Sequence, residues 1–194
     1  MKKSTNKIRV GFALSGSFCT FDNAVKEIEA LILNNADVTP IMSFMAAKTD
    51  TRFGTADSFI QKIEGITGKK IIRTIEDAEP IGPKKLFDIL IIEPCTGNTL
   101  GKLAAGITDT PVLMAAKAHL RNGRPLLIAV STNDGLSGSA KNIGLLMGQK
   151  NIFFVPHRQD DHILKPTSIV ADFDKTLLAM HAALEERQIQ PVLL

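Results

Sequence analysis

Three apolar runs constrain this chain more than anything else in it: Ile8-Arg9-Val10-Gly11-Phe12-Ala13-Leu14, Phe87 to Glu93, and Leu126 to Val130. Each is only long enough for a strand. None alternates apolar with polar, so each reads as a strand buried on both faces of a parallel sheet. Helical spacing fills the gaps between them. Phe21, Val25, Ile28, Leu31 and Ile32 mark a helix from about Phe21 to Asn34. Phe59, Ile60, Ile63 and Ile66 mark another from about Ala56 to Thr67, stopped by Gly68. Phe173, Leu177, Leu178, His181 and Leu184 mark a last one from about Asp172 to Gln188. Strand and helix alternate throughout. That pattern predicts an α/β, Rossmann-like, three-layer fold with a parallel sheet, right-handed crossovers and helices on both faces. At 194 residues, one domain spanning 1–194 is expected.

The remaining stretches are weaker. Val38 to Met45 reads as a short strand with Ser43 near its carboxyl end, followed by a polar link from Lys48 to Thr55. Lys70 to Arg73 reads as a short strand and Glu76 to Pro83 as a loop with room for one helical turn. A helix is expected from Thr99 to Ala105 with Asn98 as its N-cap, and another from Val112 to Arg121. Gly135 to Ser139 reads as a mobile Gly/Ser loop, Lys141 to Met147 as a short helix, and Ile152 to Val155 as the last core strand. Pro156 to Pro166 reads as a polar loop, and residues 1–7 as a frayed tail.

Several function classes are set aside by composition. The net charge is only +3 and there is no Trp or Tyr, so stacking on nucleic-acid bases is not expected. The apolar stretch after Met1-Lys2-Lys3 is too short for a membrane span and has no signal cleavage pattern. Cys19 and Cys95 lie far apart and form no disulfide framework, so a cytoplasmic location is the default expectation.

Ligand chemistry is expected at one edge. Ser15-Gly16-Ser17, Ser43, Thr96-Gly97-Asn98-Thr99 and Ser131-Thr132-Asn133 all follow strands, and a parallel sheet gathers their ends together. Hydroxyls and helix N-termini there suit a phosphate and a polyol chain. Helix capping explains any one of these loops; four on one edge favour a ligand. The first loop is not a Gly-x-Gly-x-x-Gly fingerprint, and there is no Walker A loop. The cysteines and histidines lack metal-ligand spacing. Asp160-Asp161-His162 reads as a solvated loop, His119 and His181 as surface or core-edge residues, and Cys95 as a bystander thiol.

The run from Pro94-Cys95-Thr96-Gly97-Asn98-Thr99 to Gly106-Ile107-Thr108-Asp109 resembles the flavoprotein family of homo-oligomeric, flavin-containing cysteine decarboxylases and their prenyl-flavin-synthase relatives. Their segment reads Pro-Ala-Ser/Thr-Ala-Asn-Thr, then a helix and Gly-Ile-x-Asp. The resemblance implies bound FMN, with Ser15, Gly16, Ser17, Ser43, Thr96, Gly97, Asn98 and Thr99 at the cofactor, and a homo-oligomer. It also shows departures. The decarboxylases' His-Ile pair is Pro80-Ile81 here, and their Pro-Ala-Met-Asn-x-x-Met-Trp is Val130-Ser131-Thr132-Asn133, which keeps only the Asn. Asn133 is therefore the expected substrate-orienting residue, and no catalytic residue is assigned. The stretches Val130 to Gly135, Ala140 to Leu146 and Phe154 to Ser168 resemble a sporulation branch of the family. That likeness implies dipicolinate formation from dihydrodipicolinate in the mother-cell cytoplasm, with NADP or NAD held by a separate partner subunit.

Overall fold

The structure is a computed structural model and describes residues 7–194. The predicted tail at residues 1–7 lies outside the described residues except for Lys7. In chain order the strands are β1 (Ile8–Leu14), β2 (Ala36–Met42), β3 (Ile89–Cys95), β4 (Leu126–Thr132), β5 (Ile152–Phe154), β6 (His157–Asp161) and β7 (Lys165–Ala171). The helices are α1 (Phe21–Leu33), α2 (Phe44–Lys48), α3 (Ala56–Thr67), α4 (Ile75–Ala78), α5 (Gly97–Ala104), α6 (Pro111–Leu120), α7 (Ala140–Met147) and α8 (Thr176–Leu184). The sheet runs β2-β1-β3-β4-β7-β6, and β5 also pairs with β4. The first five strands are parallel, as the apolar runs require.

Side chains leave β3 alternately for two cores. Ile89 and Ile91 join the cluster formed with α1, α3 and α8. Leu90 and Ile92 join the cluster under α6 and α7. Residues of this strand are wholly buried, which is why its sequence carries no solvent face. Gly11 is required where β1 meets β3: a Cβ there would lie 2.5 Å from Phe87 and 2.7 Å from Leu90.

The helix ends follow local chemistry. Thr55 caps α3 by accepting from the Ser58 N–H at 3.2 Å, and Gly68 ends it in the left-handed region at φ 67°. Thr110 caps α6, whose first residue is Pro111, a position where the missing N–H costs nothing.

Several stretches differ from the sequence reading. β3 does not stop at Pro94; it runs on to Cys95 across a bulge between Ile92 and Cys95. The entrance to the next helix is capped by Thr96, whose Oγ1 accepts from the Thr99 N–H at 3.3 Å, so Asn98 lies in the first turn. Residues after Ser43 form α2 rather than prolonging the strand, because the Ser43 hydroxyl accepts from the Ala46 N–H at 3.2 Å and starts a helix. The predicted polar loop at Pro156 to Pro166 is instead a hairpin. β6 and β7 are antiparallel, and β7 pairs antiparallel with the far end of β4 through Ser131 and Thr132. Its turn is closed by Asp161, whose Oδ1 accepts from the Ile163 and Leu164 N–H groups at 3.0 and 2.9 Å. The mostly parallel sheet thus carries an antiparallel arm. Lys70 to Arg73 contributes only a single bridge, Ile41 to Ile72.

Candidate functional site

The carboxyl ends of β1, β3 and β4 open onto a cleft of about 1270 Å³, walled on one side by α1 and on the other by the β6–β7 arm. Gly16, Ser17, Thr96, Gly97, Asn98 and Asn133 line it. The other predicted site residues stand behind that surface. Ser15 is buried; its hydroxyl donates to the Pro94 carbonyl at 2.8 Å and accepts from the Thr96 N–H at 3.0 Å. It therefore ties the first loop to the third. Thr99 is buried with its hydroxyl 3.0 Å from that of Thr96. Ser43 is buried and serves as the cap of α2, not as part of the cleft lining. Ser17 bridges to Ser131, Oγ to Oγ, at 2.8 Å, so the β1 and β4 ends are joined across the cleft floor. Asn133 is exposed at the mouth, and its carbonyl accepts from Thr167 at 2.7 Å.

Gly97 has a reason that its sequence neighbours do not reveal. A Cβ there would lie 2.5 Å from Asp134 Oδ1, 2.5 Å from Ser139 Oγ and 2.8 Å from Thr132 Oγ1. These three groups bond to one another: Thr132 donates to Asp134 Oδ1 at 2.5 Å and Ser139 to Oδ2 at 2.9 Å. Gly97 therefore admits the chain's own carboxylate, held by two hydroxyls, beside the first turn of α5. A carboxylate there uses the positive end of the helix. The segment 135–139, expected to be a mobile loop, is held in turns by these bonds and by the Leu136 N–H donating to the Thr167 carbonyl at 2.9 Å. Gly135 lets Ile169 approach: a Cβ would come within 2.7 Å of it.

The cleft also holds groups that sequence reasoning missed. Glu27 of α1 lines it while only 9% exposed. Burial first, and then the charge of Asp174, raise its pKa to about 7. Behind it, Glu93 of β3 is completely buried. Its Oε2 accepts from the Thr176 hydroxyl at 2.8 Å, and its Oε1 has no partner. Burial holds the Glu93 carboxyl well above the ordinary range, which favours its protonated form. The one sequence signal was a lone acid at the end of an apolar run. Arg52, Lys26, Arg158 and Lys165 supply positive charge around the cleft, and Phe18 and Phe53 supply apolar wall.

Among the described residues no histidine lines the cleft. His119 is buried at the opposite end, with Nε2 3.0 Å from the Pro125 carbonyl, and burial pulls its pKa down to about 4. His157 is buried beside the Val155 carbonyl. Ile81, at the place of the decarboxylases' His-Ile pair, is a core residue. Cys95 is buried and its thiol is pushed up by burial, which makes it an inert core residue. Among the described residues no group of His, Cys, Asp and Glu has the geometry of a metal site.

Known proteins share this chain's fold and much of its sequence. The chain is 46% identical over 185 residues to the B subunit of dipicolinate synthase from Bacillus subtilis (strain 168), covering 95% of this chain and 92% of that one. It superposes on the crystal structure of the B subunit of dipicolinate synthase from Bacillus halodurans C with a TM-score of 0.89 and 44% identity, covering 96% of both chains. The structure of AnUbiX (PadA1) in complex with FMN and dimethylallyl pyrophosphate shares the fold, with a TM-score of 0.64 at 15% identity over 95% of this chain and 97% of that one. Residues 1–181 match the sequence profile described as Flavoprotein, and the chain belongs to that family.

Proposed function

We propose that this chain is the flavin-type subunit of a dipicolinate synthase. It works with the A subunit of that enzyme, which holds NADP or NAD, to convert dihydrodipicolinate to dipicolinate in the mother-cell cytoplasm of a sporulating bacterium. The observation that carries this reading is full-length similarity to the B subunit of dipicolinate synthase, joined to a cleft built from the strand ends. The cleft chemistry suits FMN. Ser17, Ser131, Thr96 and Asn98 offer neutral donors for a ribityl chain and phosphate, and Phe18 and Phe53 offer apolar contact for a ring system. Bound FMN would supply a hydride acceptor. Ser15 and Thr99 act behind them by fixing Thr96, and Asn133 at the mouth orients a carboxylate-bearing substrate through its amide. Arg52 and Lys26 add charge for a dicarboxylate.

Cysteine-type decarboxylation, the rival enzymatic reading, lacks its histidine: none lines the cleft among the described residues, and Pro80 stands where the His-Ile pair has its histidine. A third reading is a scaffold subunit that has lost its flavin. Two measurements decide among them. The purified chain is expected to be yellow, or to become so with FMN, and to raise dipicolinate formation by the nicotinamide-binding partner. Equal yield without this chain removes the proposal, and a colourless protein that FMN cannot reconstitute supports the scaffold reading.

A further inference from the structure

We propose that Glu27 is the proton acceptor of the cleft: its carboxylate takes the proton that a dihydropyridine ring sheds as it becomes aromatic. The inference rests on the reading of function given above. Aromatising dihydrodipicolinate breaks two ring–hydrogen bonds. One hydrogen leaves as hydride, with its electron pair, to the nicotinamide or flavin oxidant; the other leaves as a proton. An O–H bond then forms on Glu27, and the proton passes on to water. The product is the pyridine dicarboxylate, so atoms and electrons balance.

Geometry selects Glu27 among the carboxylates of the cleft. Asp134 is held by two hydroxyls. Asp160 is paired with Lys165 at 2.7 Å. Asp172 faces Lys175 at 3.5 Å and Arg158 at 3.9 Å. Asp174 is exposed on the turn before α8. Among the described carboxylates that line the cleft, Glu27 alone is both buried and free of an ion pair. Its neighbours on α1, Asn23 and Lys26, share the cleft wall, and Lys62 of α3 is turned to Asp22 at 3.6 Å. From β3 Glu93 is coupled to it by charge, and the Thr176 hydroxyl of α8 is bonded to Glu93.

A second observation points the same way. The Glu93 Oε1 atom is fully buried with no hydrogen-bond partner. By the alternation of β3, Glu93 faces the side of the sheet occupied by α1 and α8, and its Oε2 bond to Thr176 agrees with that direction. A structural carboxyl in a core would be fully bonded or replaced by an apolar residue. Glu93 instead keeps one carboxyl oxygen unpaired in the layer behind Glu27, and the two carboxyls feel each other's charge. Asp174 is the group that raises the proton affinity of Glu27 from outside.

The test joins the chain, labelled with carboxyl-13C glutamate, to the nicotinamide-binding partner in the full complex. One carboxyl is expected to titrate near pH 7, to be missing in Glu27→Gln, and to move to lower pH in Asp174→Asn. Dipicolinate formation is expected to fall on the acid side of the same midpoint. Glu27→Gln should slow it by about 100-fold and remove that acid limb, whereas Asp174→Asn, an exposed change that leaves the core intact, should shift the limb downward. Glu27 titrating in the ordinary carboxylate range overturns the inference, as does Glu27→Gln with wild-type rate and pH profile. Equal dipicolinate formation with this chain left out overturns the reading of function and the substrate with it; an ordinary midpoint in an active complex overturns the inference alone.

Discussion

The two ends of the sheet treat charge in opposite ways. At the amino edge Asp88 sits between two arginines. Arg9 donates from its backbone N–H at 2.9 Å, from Nε at 3.2 Å and from Nη2 at 2.6 Å. Arg124 stands 3.5 Å away and also donates to the Phe87 carbonyl. The Arg9 guanidinium holds the Asp88 carboxyl below the usual carboxylate range. At the carboxyl edge Glu27 and Glu93 have no cation, and burial raises both. Compensated charge at one end closes the fold. Buried carboxyls without an ion pair at the other cost stability and are retained beside the cleft, the pattern expected where chemistry rather than cohesion sets the residues.

That contrast can be broken by substitution, and the largest effect is expected at Gly97. Gly97→Ala pushes a methyl group into the Thr132, Asp134 and Ser139 cluster. It should destabilise the fold by about 3 kcal/mol and abolish FMN retention, read by denaturant melts and absorbance. Glu27→Gln comes next, with the opposite sign. The unfolded state ionises Glu27 near its ordinary pKa of 4.5, while the folded state keeps the proton until about 7. Folding therefore loses stability as pH rises between those values. The variant should gain about 2 kcal/mol at about pH 8 and nothing at about pH 4. Asp88→Asn should cost about 1 kcal/mol at about pH 7. Since the Asp88 pKa is lowered on folding, its stabilisation is present above its unfolded pKa and vanishes as pH falls through the folded one, so variant and wild type should converge in acid. Smallest on stability is Ser17→Ala, which removes the 2.8 Å link to Ser131 and should show chiefly as weaker FMN binding by titration.

The layered architecture was legible because doubly buried strands leave a simple signature: the runs at Ile8, Phe87 and Leu126 all became neighbours in the sheet. The strand-end loops were legible for the same reason, since a parallel sheet must bring them to one edge. The arm was not. His157-Arg158-Gln159-Asp160-Asp161 has no apolar face, and it pairs through backbone bonds that any sequence can make. Pro94 misled because proline is rare inside a strand; a bulge at that point absorbs it. Glu27 escaped notice because one acid on an amphipathic helix looks like solvent-facing charge until the packing of Asp174 and Glu93 around it is known.

The borders of the sheet carry one more consequence. β2, on one side, contains Pro40, and Ile72 already bonds to the Pro40 carbonyl and the Met42 N–H at 3.0 and 2.9 Å. β6, on the other, presents the exposed Arg158, Gln159 and Asp160. The β2 border is thus covered by Ile72, and the β6 border is covered at His157, which bonds to Val192 and Leu194. A second chain that continued the sheet at either place would have to displace those bonds.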